Sequence, residues 1–334
     1  MGRGPTESYY RVLNEDYVEG TITCLKKDTI KKNINTNFPN ILNIEPTNRC
    51  NLNCIYCPRK QASKGVGNME WHVFTKIIDE ASSFQKLIML NFHKDGESFL
   101  HPRFIDMIHY AKKKDVAKTI HLNSNALCWT DNLIDEILDS GIDDITISLD
   151  ASKSETYKKH KGIDCLRQVE FNLYNFFEKR EKKGLKKPFV RTKIMEFDEI
   201  SKEEINEFFY KWEGIADDVQ VTGIHSWSSA IKDVDITDEK SNKRYPCVIM
   251  WYALVIDWNG NVTVCSVDWN TEINIGNVTE NSLQQIWKST KLKEARKAQI
   301  EKRYDMYKVC KDCVVWVSAG DLTKWLKEKK EYYS

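Results

Sequence analysis

The chain has 334 residues, enough for about two domains or for one α/β barrel with an appendage, and a core of that size needs no covalent staples. Fifty Lys and Arg stand against 49 Asp and Glu, a formal net charge of +1, which argues against a broad nucleic-acid footprint or a polybasic membrane surface. Mean hydropathy is −0.54, and no apolar run of about 18 residues suggests a transmembrane helix. The N-terminus, MGRGPTESYY, lacks the apolar stretch of a signal peptide, and Gly2 with Thr6 matches a myristoylation pattern only formally. A cytoplasmic location is therefore expected. Ten cysteines in that reducing compartment suggest metal rather than disulfides.

Residues 1–38 read as an N-terminal extension without an assignable element. The first strand reads at Ile41-Leu-Asn-Ile44 and enters a loop at Glu45-Pro-Thr. On that loop Cys50-x3-Cys54-x2-Cys57 gathers three thiols. A [4Fe–4S] cluster held by three cysteines keeps one iron open to an exogenous ligand, whereas zinc asks for a fourth protein ligand nearby. Helix-like and strand-like segments then alternate. A continuous apolar run predicts a buried parallel strand at Lys86–Phe92, and strand-like segments follow at Thr119–Ser124, Asp144–Leu149, Phe189–Ile194 and Asp218–Thr222. Helical patterns fall at about 71–83, 102–114, 131–140, 165–181 and 201–213. Six β/α units give an α/β fold, a partial (β/α)6 TIM-like barrel over residues 39–235, with its chemistry on the loops after the strands. The Lys-rich stretch 178–187 reads as a solvated helix end.

The C-terminal third reads differently. Trp251–Asp257 and Asn261–Cys265 flank Trp258-Asn-Gly260, a hairpin signal. Helices follow at about 282–289 and 291–303, and 321–334 reads as a terminal helix. Cys247, Cys265, Cys310 and Cys313 form a second thiol set in a small α+β domain over 236–320. Four thiolates suit either a zinc ion or a saturated [4Fe–4S] cluster. Cys24, Cys128 and Cys165 stand alone.

The segment Glu45-Pro-Thr-Asn-Arg-Cys50-Asn-Leu-Asn-Cys54-Ile-Tyr56-Cys57-Pro resembles the signature of the radical S-adenosylmethionine (SAM) superfamily. The resemblance implies that SAM chelates the open iron and that an electron from the cluster splits it. The 5′-deoxyadenosyl radical so formed takes a hydrogen from substrate. Lys94-Asp-Gly96-Glu97-Ser98 resembles the family's Gly-Gly-Glu element, whose backbone and acid meet the SAM amino group; Asp95 stands where the first glycine is usual. Ser124-Asn125-Ala126 and Ser148-Leu-Asp150 resemble two further SAM-binding strand ends. Lys161 holds the place of a basic residue that pairs with the SAM carboxylate. Tyr56 is the aromatic residue usual before the last cysteine. The layout Cys247, Gly260, Cys265, Cys310, Cys313 resembles the auxiliary-cluster region called SPASM or, in its shorter form, twitch. It implies a second [4Fe–4S] cluster, saturated by protein thiolates.

A saturated cluster can move electrons but has no open iron for substrate. This favours oxidation of a secondary alcohol on a sugar, cyclitol or related small metabolite, with the auxiliary cluster accepting an electron. The cysteine layout is similar to that of the 2-deoxy-scyllo-inosamine dehydrogenases. Peptide modification is a second reading. Epimerisation is a third, with a spare thiol returning hydrogen; Cys128, just past a barrel strand, is the candidate. His225, Lys193 and Arg191 are candidate substrate-facing residues, the last two on one face of their strand by alternation. His93, Lys94 and Glu196 are weaker candidates for that role. A one-electron donor such as flavodoxin or ferredoxin is the expected protein partner, with no nucleic-acid or membrane partner.

Overall fold

A computed structural model describes residues 31, 34, 37–197, 200–223, 244–311, 313, 315–316, 321–328 and 330. Six parallel strands form the barrel wall: β1 (Ile41–Ile44), β2 (Leu87–Asn91), β3 (Ala117–Ser124), β4 (Asp144–Ser148), β5 (Phe189–Glu196) and β6 (Asp218–Gly223). They lie in sequence order, each hydrogen-bonded to the next. Helices α1 (Trp71–Phe84), α2 (Phe104–Lys113), α3 (Asp131–Asp139), α4 (Ser154–Lys161), α5 (Leu166–Lys182) and α6 (Lys202–Trp212) follow successive strands, two of them after β4. The helices that the apolar periodicity predicts all form, with ends a residue or two from expectation. Two of them start at side chains that satisfy free backbone donors. Thr130 caps α3 by accepting from Leu133 N, and Ser201 caps α6 by accepting from Glu204 N.

Helix α4 is the one barrel helix that the sequence pattern misses. Its residues, SETYKKHK, carry no apolar stripe, so nothing in their periodicity marks a helix. Gly162 ends it at φ +85°, a backbone conformation that glycine adopts without strain. One face of the strands buries Leu42, Leu90, Ile120, Ile145 and Val190, aligned by the sheet register, beneath the helices. Each such side chain contributes about 1.5–3 kcal/mol relative to exposure.

The C-terminal region continues the same sheet. Strand β7 (Ala253–Ile256) pairs in parallel with β1, aligning Leu42 with Leu254 and Ile44 with Ile256. It turns at Gly260 into β8 (Asn261–Thr263), and short β9 (Gly276–Asn277) follows, both antiparallel. The hairpin signal is thus met, but the barrel and appendage share one nine-stranded sheet. Helices α7 (Leu283–Trp287), α8 (Thr290–Ile300), α9 (Lys308–Lys311) and α10 (Thr323–Glu328) complete the region. A reciprocal cap between Ser282 and Gln285 starts α7. No helix among the described residues is long and apolar enough to cross a membrane.

Candidate active site

The loop after β1 lies across the C-terminal ends of the strands. Asn53 N donates to Lys161 O at 3.0 Å and Ile55 N to His160 O at 2.9 Å, so the cysteine segment rests on the end of α4. Asn48 Nδ2 donates to Gly65 O at 2.7 Å, and Thr47 Oγ1 to Gly67 O at 2.8 Å. These bonds fold the loop back on itself. The thiols of Cys50, Cys54 and Cys57 are half-buried and free of disulfides. Burial raises Cys57 to about 11 and Cys50 also upward; each feels the charge of Cys54. All three stand on this one loop within eight residues. Thiolates at such a place need a cation to stabilise them.

The Gly-Glu element packs directly beneath this loop. A Cβ on Gly96 would lie 2.1 Å from Thr47 O and 2.8 Å from Arg49 O, so only glycine fits. Glu97 N donates to Arg49 O at 2.8 Å. The Glu97 carboxylate accepts from Asn125 N at 2.8 Å, Ser124 Oγ at 3.0 Å and Phe99 N at 3.4 Å. Burial nevertheless raises it to about 7. Asn125 Nδ2 donates to Asn51 Oδ1 at 2.8 Å and lies 3.9 Å from Cys50 Sγ. The structure therefore brings Gly96, Glu97, Ser124 and Asn125 together beside Cys50.

Tyr56 and Lys161 meet at Asp150 instead of at an open surface. Tyr56 Oη donates to Asp150 Oδ2 at 2.8 Å. Lys161 Nζ donates to the same oxygen at 2.6 Å and to Ser148 O at 2.8 Å. Two of the three N–H groups of Lys161 are thus engaged within the protein, where the family pattern expects a partner for SAM. Burial raises the Asp150 pKa, but Lys161, Lys193 and Tyr56 outweigh it and hold the carboxylate ionised.

Arg191 is a correction. It is 1% exposed and forks onto Asp144, Nη1 to Oδ1 at 2.5 Å and Nη2 to Oδ2 at 2.8 Å. Asp144 opens β4 and also pairs with His121 Nδ1. Arg191 therefore closes the floor of the barrel, and a bidentate ion pair leaves its fork no room for substrate. Lys193, two residues nearer the strand end, lies half-buried close to Asp150. Lys94 is a second correction: its ammonium is fully buried, 2.5 Å from Asp257. His93 is half-buried, with its ring 5.8 Å from that of His121, and Glu196 ends β5 exposed. His225 and Cys24 lie outside the described residues. Cys128 is half-buried; burial, then Glu97 and Cys50, push its thiol well above the ordinary range, so it stays protonated. Cys165 lies 3.6 Å from Tyr157 Oη.

Sequence reasoning assigned no role to a buried ionic group at the seam of barrel and appendage. Lys64 Nζ lies 3.2 Å from Glu45, 2.7 Å from Asp95 and 3.4 Å from Asp257. Asp95, out of place in the family pattern, is thus an anchor for the cysteine loop. Burial and Asp95 raise Glu45 to about 7 against the pull of Lys64. Burial pulls Lys64 down, but the three carboxylates outweigh it and hold it above the lysine range. Trp258 N donates to Glu45 at 3.2 Å, and its ring fills the space a Cβ on Gly67 would take, 2.2 Å away. Ser63 N and Oγ donate to Asn270 Oδ1 at 2.9 and 3.0 Å. Partners so far apart in sequence leave no local signal.

Cys247, Cys265, Cys310 and Cys313 form a second thiol group. Burial raises Cys247 to about 12, with Cys313 and Cys310 adding to it. Burial likewise raises Cys265, which feels Cys247 and Cys313, and Cys310, which feels Cys265 and Cys313. Arg244 donates to Cys310 O at 2.5 Å and Lys311 O at 2.8 Å, fixing the end of α9. Four cysteine thiols are the donor set that saturates a [4Fe–4S] cluster.

Comparison with known proteins agrees. Residues 44–207 match the radical SAM superfamily, and residues 247–314 match SPASM, an iron–sulfur cluster-binding domain. The chain is a radical SAM enzyme with a SPASM domain. Its cofactors are SAM, a [4Fe–4S] cluster in the barrel and an auxiliary [4Fe–4S] cluster. It is 25% identical to the tungsten-containing aldehyde ferredoxin oxidoreductase cofactor-modifying protein of Pyrococcus furiosus, over 86% of this chain and 92% of that one. A GTP 3′,8-cyclase of Clostridium botulinum is 28% identical over 51% of each chain. The fold is similar to that of BtrN in complex with AdoMet and 2-DOIA (TM-score 0.56, 17% identity, covering 82% of this chain and 92% of that one). It is also similar to Streptococcus suis SuiB bound to precursor peptide SuiA (TM-score 0.64, 17% identity, 92% and 77%).

Proposed function

We propose that the enzyme oxidises a secondary alcohol of a small polar metabolite, a sugar or cyclitol. The observation that carries this reading is the second thiol group: Cys247, Cys265, Cys310 and Cys313, all within the SPASM match, suffice to saturate a [4Fe–4S] cluster. When bound, SAM and the two clusters supply the radical that removes a hydrogen atom and the acceptor for the electron left behind. Glu97, Ser124 and Asn125 bind the amino-acid end of SAM. Tyr56, Lys161 and Asp150 hold the cysteine loop at its fixed height above the barrel. Lys193 orients hydroxyl groups at the mouth. The likeness to BtrN supports the alcohol reading. The name of the Pyrococcus furiosus relative, a cofactor-modifying protein, extends the substrate class to an enzyme cofactor.

A second reading, peptide modification, is favoured by the fold likeness to SuiB across 92% of this chain. A third, epimerisation, would use Cys128 as hydrogen donor, its thiol being kept protonated. The discriminating experiment runs the reduced enzyme with its substrate in D2O and weighs the product. Oxidation gives a product lighter by two hydrogens, one SAM consumed per product, and activity that survives Cys128→Ala. A one-deuterium gain abolished by Cys128→Ala establishes epimerisation instead.

A further inference from the structure

Across the first four strands the register sets Asn43 opposite Asn91, Asn91 opposite His121 and His121 opposite Asp144. Residues so aligned share one face of the sheet. It is the face turned away from the helices, because Leu42, Leu90, Ile120 and Ile145 alternate with them. At one end this row is satisfied. Arg191 forks onto Asp144, which also pairs with His121 Nδ1, and His121 Nε2 lies 2.9 Å from Asn123 Oδ1. At the other end it is not. Asn43 and Asn91 are both 0% exposed, yet neither the oxygen nor the nitrogen of either amide has a hydrogen-bond partner. Among the described residues they are the two carboxamides unpartnered at both ends. On its other side Asn43 meets Val255 of β7, which has no polar side-chain atom to offer.

A buried amide without a partner destabilises the fold, and four such atoms on adjacent strands call for a ligand that completes them. Two residues further along the strands, His93 and Asn123 are half-buried. The amides therefore lie about 7 Å below the barrel mouth, where Ser124 and Asn125 hold Glu97. Charge at this depth is already matched. Arg191 is taken by Asp144, and Glu45, two residues beyond Asn43, by Lys64. An ionic ligand group would meet no spare counter-charge here. The amides suit a neutral group that donates and accepts at once, and each hydroxyl of a polyol does both.

We propose that Asn43 and Asn91 grip two neighbouring hydroxyl groups of the substrate ring, at the end remote from the carbon that loses hydrogen, and so determine which polyol the enzyme accepts. The inference rests on the small-metabolite reading and deepens it, narrowing the substrate to an uncharged vicinal diol at its buried end. The two asparagines set specificity and take no part in the bond changes. A substrate that lacks one of the two hydroxyls, or carries a charge in its place, leaves an amide unpaired and is rejected for that reason.

The test uses the reconstituted full chain with SAM bound. The probes are myo-inositol, scyllo-inositol and glucose, with N-acetylglycinamide as an uncharged amide that has no hydroxyl. The variants are Asn43→Leu and Asn91→Leu, which keep the branching of the side chain, and Asn43→Ala and Asn91→Ala in case leucine does not fit. Binding is titrated by saturation-transfer NMR, and the thermal midpoint is measured without probe. At least one polyol should bind, and each variant should weaken it about tenfold or more. Each Leu variant should equal or exceed the unmodified chain in thermal midpoint, because a buried amide without a partner has been removed. Lower midpoints in the Leu variants with polyol affinity unchanged would mean that the amides serve the fold or ordered water only, and overturn the proposal. Binding of none of the polyols, or tighter binding of N-acetylglycinamide than of every polyol, overturns it as well. A polyol that binds through the amides but loses no hydrogens on turnover refutes the alcohol oxidation and upholds the amide pair.

Discussion

Glu97 sits where a carboxylate is costly to ionise, and a cationic ligand would lower that cost. Its bonds from Asn125, Ser124 and Phe99 favour the charged form, yet burial outweighs them and raises it to about 7. A hydrogen bond to a charged group is worth about 1.5–3 kcal/mol. Glu97→Ala should therefore weaken SAM binding roughly 10- to 150-fold and leave iron content unchanged; equilibrium dialysis of SAM alongside an iron assay measures both. Glu45 gives a pH prediction. Its pKa rises from the ordinary 4.5 to about 7 on folding, so its contribution to stability is complete below about 4.5 and is lost as pH rises through about 7. The loss saturates on the order of 3 kcal/mol. Denaturant midpoints of the protein and of Glu45→Gln should converge or cross between about pH 4.5 and 7 and run parallel above that; a constant difference across the lower range would show that Glu45 does not titrate there. The cysteines and the Gly96-Glu97 pair were legible in the sequence because a cluster and SAM demand fixed donors at fixed spacing. Lys64 and Asp257 were not, because a buried charge is recognised only by partners that folding brings from 163 positions away, as for Lys94 and Asp257.

The cysteine loop is held by two glycines and a helix end, each with a different failure mode. At Gly96 an added methyl meets backbone, Thr47 O at 2.1 Å, and backbone does not yield as a flexible side chain does. Gly96→Ala should release the loop, so iron after anaerobic reconstitution should fall from about eight per chain toward about four, with circular dichroism little changed. Substitution at Gly162 meets Asn53 O at 3.0 Å at φ +85°, so it strains the end of α4 as well. That helix shows where periodicity stops being informative: its buried residues are Tyr157, His160 and Lys161, two of them polar side chains that an apolar pattern does not count. Strand β2 was legible because parallel β-structure buried on both faces is written as a continuous apolar run, Leu87–Leu90. The inward layer was not: Arg191 reads as substrate-facing until Asp144 and His121 are seen beneath it.

At the scale of the molecule, two thiol groups at opposite ends of the sequence belong to one sheet. Replacing Cys50, Cys54 and Cys57 together by Ala should leave about four iron per chain, held by the C-terminal set; retention of zinc in place of iron would refute the auxiliary cluster. The seam between the regions is polar and buried, with Lys64 bridging Glu45, Asp95 and Asp257. Breaking one partner of such a group strands the others without water or counter-charge, typically at a cost of 3–5 kcal/mol. Lys64→Met should therefore lower the thermal midpoint by several degrees in differential scanning fluorimetry and loosen both regions together.

Strand β7 covers the outer edge of β1 from Ile41 to Ile44. An edge left open is a template for another chain. A gene fusion that exchanged this appendage for another would also have to deliver a replacement strand in register with β1, or the recipient barrel would aggregate. The unit that evolution can trade is thus the strand together with the thiols that flank it, Cys247 and Cys265.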